Sequence, residues 1–120
     1  MAVILIVEDE VFIRQHAEWM LEDLGHLALP AEDMEQALVH LTAPRRIDAL
    51  FVDIRLNRLA HGGYEVANRA LELQPHLRVL YTSGSQLTTE MSGQFVCGGR
   101  FLQKPYGVNH LALSIDQLLH

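Results

Sequence analysis

At 120 residues and a net charge of −6, the chain is sized for one domain and carries the wrong sign for nonspecific binding to nucleic acid. Its composition, 49% hydrophobic and 20% charged, suits a globular core and excludes disorder. The N-terminal apolar run is cut off by acids at 8–10, far short of the roughly 20 residues of a membrane span, and it has neither a basic leader nor a cleavage site. Cys97 is the only cysteine, so no internal disulfide can form, which fits a reducing cytoplasm.

Residues 2–7, AVILIV, are a β-branched apolar run of the kind buried on both faces of a parallel sheet. From Ile13, apolar residues at Ala17, Met20, Leu21 and Leu24 follow helical spacing, and Gly25 stands where a helix end favours glycine. HLALPA reads as a second strand. Asp33 followed by Gln36 is a capping signal for a helix carrying Ala37, Leu38 and Leu41. DALFVDI, 48–54, is a third buried strand. After it come a polar loop, RLNRLAHGG, and a helix, YEVANRALEL, stopped by Pro75. LRVLYTSG contains a fourth strand. The stretch from Ser85 to Gly99 has helical spacing at Leu87, Met91 and Phe95, weakened by Gly93 and several hydroxyl residues. RFLQKP is a fifth strand, and Leu111, Ile115 and Leu118 mark a last helix. This alternation predicts an α/β domain with a parallel sheet covered on both faces.

In such a sheet the carboxyl ends of the strands share one edge, where ligands bind. Here those ends carry Glu8 and Asp9, then Asp53, then Thr82 and Ser83, then Lys104. Crowded carboxylates repel one another, so solvent, a proton or a cation must relieve them. Mg²⁺, which takes one or two carboxylates and keeps several waters, is the natural partner. With a lysine and a hydroxyl opposite, the set is equipped to handle a phosphoryl group. Glu10 reads instead as a helix-start residue. The seven histidines form no i, i+4 pair and read as solvated surface groups.

The motifs VEDE, FVDI, YTSG and LQKPY, in that order and at those separations, resemble the receiver domain of two-component response regulators. The resemblance spans essentially the whole chain. It implies a flavodoxin-like doubly wound sheet of five parallel strands in the order 2-1-3-4-5, with about five helices in three layers. It makes 1–120 a single receiver domain without an output domain, either stand-alone or excised from a longer protein. Asp53 is then the phosphoacceptor. Glu8, Asp9, Asp53 and the backbone carbonyl of Arg55 hold Mg²⁺. Thr82 is the hydroxyl that moves to bond the phosphoryl group, with Ser83 beside it, Lys104 pairs with that group, Phe101 is the aromatic switch, and the bond before Pro105 is cis. The first helix often docks the kinase in this family, which points to Ile13, His16 and Trp19.

The resemblance further implies a cytoplasmic signalling phosphoacceptor rather than an enzyme acting on other molecules. Its partners are a histidine kinase or phosphotransfer protein and a downstream protein, with no direct nucleic-acid or membrane contact. The apolar last helix (Leu111, Leu113, Leu118, Leu119) leaves room for a homodimer. Two departures stand out. Asn57 replaces the usual proline in a loop about two residues longer than normal, and Arg55 is placed to cover a phosphoryl group or pair with Glu8. Three other functions stay in view. A receiver-like scaffold would act without phosphorylation. A flavodoxin-like cofactor binder would need a phosphate loop where this chain has acids. A dehalogenase-type phosphatase would need an acid where Arg55 stands.

Overall fold

The computed structural model describes residues 1–59 and 62–120; Ala60 and His61, in the polar loop after Asp53, lie outside the described residues. The apolar runs form parallel strands β1 (Val3–Val7), β2 (Leu27–Ala31), β3 (Ala49–Asp53), β4 (Arg78–Ser83) and β5 (Arg100–Gln103). The helices are α1 (Val11–Asp23), α2 (Met34–Thr42), α3 (Gly62–Leu73), α4 (Thr89–Ser92) and α5 (Val108–Leu119). The sheet order is β2-β1-β3-β4-β5. Among the described residues no helix is long and apolar enough to cross a membrane.

The strand interiors are apolar because both sheet faces are covered. Leu5, Val7, Leu50, Val52, Val79 and Tyr81 pack with α2 and α3. Their neighbours Ile4, Ile6, Ala49, Phe51 and Leu80 pack with α1 and α5 through Ala17, Leu21, Leu111 and Ile115. Strand alternation therefore sorts the side chains into two cores with one sheet between them.

Helix α1 starts at Val11, two residues before the expected Ile13, and its N-cap Glu10 makes no side-chain capping bond. The Asp33 signal is real: its Oδ1 accepts from the Gln36 amide at 2.9 Å. Two histidines are not simply solvated. The His26 ring accepts from the Ala2 amide at 3.1 Å, and the His40 ring bonds the Pro30 carbonyl at 2.9 Å. The weak helical signal after Ser85 becomes a single turn, α4, capped by Thr88. The segment is held to the body mainly by rings and one hydrogen bond. Phe95 stacks on Tyr81 with centroids 4.2 Å apart, and the Val96 amide donates to Tyr81 Oη at 3.0 Å.

The loop after β3 explains the missing proline. Asn57 and Arg58 have φ of 53° and 65°, and the Leu59 amide donates to the Leu56 carbonyl at 2.9 Å. This is a tight turn with two left-handed residues in succession. Proline, locked near −65°, cannot take the Asn57 conformation. Beyond the turn the chain comes back against β3. The Gly63 amide donates to the Ile54 carbonyl at 2.9 Å, and a Cβ on Gly63 would fall 2.6 Å from Ile54 Cα and closer still to the Asp53 carbonyl. The start of α3 therefore fixes the backbone that carries Asp53. Gly63→Ala is expected to cost about 3 kcal/mol or more by forcing that backbone aside. Gly84→Ala, where a Cβ meets nothing within 4 Å, should stay within about 0.5 kcal/mol. Denaturant unfolding of both variants checks this; equal stabilities would contradict the packing.

Candidate functional site

The parallel register brings the predicted polar residues together. Asp53 ends β3 and sits level with Thr82 on β4, which in turn sits level with Leu102 on β5. Glu8 and Asp9 follow β1 directly. One carboxylate oxygen from each of Glu8, Asp9 and Asp53 lies within 4.8 Å of the others. Glu8 and Asp53 are buried, while Asp9 is open to solvent. Lys104 enters from the end of β5, with Nζ 2.7 Å from Glu8 Oε1 and 3.3 Å from Asp53 Oδ2. Lys104, not Arg55, is therefore the partner of Glu8. Arg55 is exposed, and its amide donates to Asp53 Oδ1 at 3.2 Å.

Three carboxylates and one ammonium leave two negative charges uncompensated when all are ionised. Burial adds to this imbalance in setting where the acids hold their protons. Burial raises the Glu8 carboxyl to about 7, more than Lys104 can lower it, and nearby Asp53 pushes the same way. Burial also holds Asp53 above the usual aspartate range despite Lys104. Burial works against the Lys104 charge, but the two carboxylates outweigh it and hold its pKa above the ordinary lysine value. The donor set fits a hard cation: three carboxylate oxygens, one of them on a solvated side chain that leaves room for water ligands. Oxygens on opposite sides of Mg²⁺ sit about 4 Å apart, so the observed span needs only small side-chain adjustments.

The hydroxyls differ. Thr82 is buried, and its Oγ1 has no hydrogen-bond partner among the described residues. Leaving such a group unpaired costs about 1–3 kcal/mol. Ser83 is also buried, but its Oγ accepts from the Ser85 amide at 3.1 Å. Ser83 thus shapes the loop, and Thr82 is the hydroxyl left unbonded. The Lys104–Pro105 bond is cis.

Phe101 is half-buried on the other face of the sheet, near-parallel to Phe95 at 6.3 Å. On α1, Trp19 and His16 are exposed while Ile13 is half-buried. Ile13 and His16 line a cavity of about 140 Å³ with Lys104, Pro105 and Tyr106. The sequence reading missed two residues here. Phe12 is 77% exposed, more than Trp19 at 64%. Tyr106 packs edge-on to Phe51 at 5.5 Å, and burial, with Glu8 and Asp53 nearby, raises its hydroxyl. Its place two residues after Lys104 was the available signal. A larger cavity of about 660 Å³, lined by Arg46, Asp48, Arg78 and Cys97 among others, lies at the opposite end of the strands, so size does not locate the site.

A pH dependence follows. The folded state keeps a proton on Glu8 that the unfolded chain has released above about 4.5, so folding is favoured at low pH. That contribution is full below about 4.5 and is lost as pH rises through about 7, on the order of 3 kcal/mol in all. In chelator, the melting temperature of the parent relative to Glu8→Gln should fall across this window. A constant difference would contradict the burial of Glu8.

Comparison with known proteins shows the family. A family model described as "Response regulator receiver domain" matches residues 4–116. The fold is similar to a response regulator receiver protein from Sinorhizobium medicae (29% identity, 98% of this chain and 94% of that one, TM-score 0.86). It is also similar to NtrX from Brucella abortus (29% identity, 98% of this chain and 26% of that one, TM-score 0.87). Among curated proteins, Histidine kinase 2 of Arabidopsis thaliana is 30% identical over 94 residues, which is 78% of this chain but 7% of that protein. With a family model matched along nearly its whole length, the chain belongs to the response regulator receiver domain family.

Proposed function

We propose that the chain is a phosphoacceptor switch. It takes a phosphoryl group from a histidine kinase or histidine phosphotransfer protein onto Asp53 and passes the change on by altered binding to a downstream protein. One observation carries the reading: the buried Thr82 hydroxyl has no hydrogen-bond partner among the described residues, yet it stands level with Asp53, which Lys104 already touches. An incoming phosphoryl oxygen would satisfy that hydroxyl.

The chemistry needs little from the protein beyond placement and charge. An Asp53 oxygen forms a bond to phosphorus while the bond from phosphorus to the donor nitrogen breaks, and the leaving imidazole takes a proton from solvent. Lys104 pairs with one phosphoryl oxygen as a point charge, exchanging part of its contact with Asp53. Thr82 donates its hydroxyl to another. Glu8, Asp9, Asp53 and the Arg55 carbonyl would hold Mg²⁺, which neutralises charge on the phosphoryl oxygens. The protein handles its own phosphoryl group and acts on no other substrate.

The structure also supports a path for the signal. Thr82 faces the acids, and its chain neighbour Tyr81 faces the opposite core, where Phe95 stacks on it and Phe101 stacks near Phe95. A shift of Thr82 toward Asp53 pulls on Tyr81, and through two rings on Phe101 and the thinly held segment 84–99. On the donor side, α1 offers Ile13 and His16, which line the cavity at Pro105 and Tyr106, and the exposed rings of Phe12 and Trp19.

The test is intact mass after incubation with acetyl phosphate and Mg²⁺, for the parent and Asp53→Asn, with beryllofluoride binding as a control for a short-lived product. One added phosphoryl mass in the parent alone is expected. No added mass together with no beryllofluoride binding would favour a scaffold that acts without phosphorylation.

A further inference from the structure

The turn from β1 into α1 carries two of the three converging acids, yet it lacks the usual helix-start bonds. Glu10, the N-cap, makes no side-chain cap, and no acid lies in the first turn of α1. The turn is held in other ways. The Glu8 amide donates to the Ala31 carbonyl at 3.1 Å, and the Glu10 amide donates to Glu8 Oε2 at 3.2 Å. The third bond comes from further along the helix: Arg14 Nη1 donates to the Glu8 carbonyl at 2.8 Å. That carbonyl belongs to the peptide plane joining Glu8 to Asp9. Fixing the plane fixes ψ of Glu8 and φ of Asp9, and so the directions in which both carboxylates leave the backbone.

We infer that Arg14 is a positioning residue for the cation site, acting through the Glu8–Asp9 peptide rather than through its charge. The inference rests on the reading of Glu8, Asp9 and Asp53 as cation ligands. Charged hydrogen bonds to a carbonyl are among the stronger local constraints, and outer groups that orient ligands are worth about tenfold or more in metal affinity. The sign of the effect separates positioning from charge. Arg14 is a cation bonded to the backbone that carries two of the acids, so as a mere charge it opposes Mg²⁺, and removing it would leave binding unchanged or tighter. As a clamp it favours Mg²⁺, and removing it weakens binding. The choice of metal separates them again. Mg²⁺ demands a near-ideal octahedron, while Ca²⁺ tolerates irregular sites, so a loosened peptide plane harms Mg²⁺ more than Ca²⁺.

The experiment is calorimetric titration of the parent, Arg14→Ala and Arg14→Lys with Mg²⁺ and with Ca²⁺, alongside melting curves in chelator. The expected result is an approximately tenfold weaker Mg²⁺ affinity in Arg14→Ala with a smaller change for Ca²⁺. Arg14→Lys, which keeps the charge and a donor, should recover part of the loss. It also keeps the test informative if Arg14→Ala melts too low to titrate. Unchanged or tighter Mg²⁺ binding in Arg14→Ala, or equal losses for both metals, would overturn the inference. A parent that binds Mg²⁺ while the variants match it sinks the inference alone; a parent that binds no Mg²⁺ sinks the cation reading with it.

Discussion

Repulsion among three carboxylates at one sheet edge is the constraint on which the rest of the structure depends. Parallel strands bring their carboxyl ends to the same side, so Glu8, Asp9 and Asp53 cannot be kept apart once the sheet forms. Lys104 answers part of the charge by bridging Glu8 and Asp53. Burial raises the Glu8 and Asp53 carboxyls further than Lys104 lowers them, and the charge of Asp53 adds to the rise at Glu8. A cluster in this state takes up either protons or a cation, because each relieves the same repulsion. The receiver domain family to which the chain belongs normally binds Mg²⁺ at such an acidic pocket.

Two parts of the molecule are built to different standards. Around the acids, backbone position is heavily determined. Gly63 lets α3 close directly onto the β3 backbone that carries Asp53, and Arg14 holds the peptide between Glu8 and Asp9. The segment 84–99, by contrast, has one helical turn and is pinned chiefly through Tyr81, by the Phe95 ring and the Val96 amide. A rigid acid cluster linked to a weakly held segment suits the proposed switch: the first must keep its geometry, and the second must be able to change. Alternation along β4 joins them, because Thr82 and Tyr81 are consecutive and point to opposite faces.

Much of this was legible in the sequence because strands buried on both faces leave plain apolar runs, and each run here ends at a polar residue. Asp53, Thr82 and Lys104 were found from their places at strand ends, and the strand order came from the resemblance those motifs carry. Three features were not legible. The pairing of Glu8 with Lys104 rather than Arg55 depends on which side chain reaches over the sheet edge, and that is a matter of strand order, not spacing. Arg14 looked like any polar helix residue, because its partner is a backbone carbonyl six residues earlier. The resemblance singled out Thr82 over its neighbour Ser83, but nothing in the residues themselves gave the physical reason: Ser83 is bonded to its own loop, while Thr82 Oγ1 has no partner among the described residues. The left-handed turn at Asn57 and Arg58 lies between, since asparagine tolerates that conformation but arginine gives no hint of it.

The most direct measurement of the central claim is the Mg²⁺ dissociation constant as a function of pH. If cation and proton compete for one carboxylate cluster, affinity should tighten as pH rises from about 5.5 to about 8, as Glu8 gives up a proton held to about 7. The dependence should vanish in Glu8→Gln. Mg²⁺ affinity that stays constant across that range in the parent would show that the three acids do not act as one site.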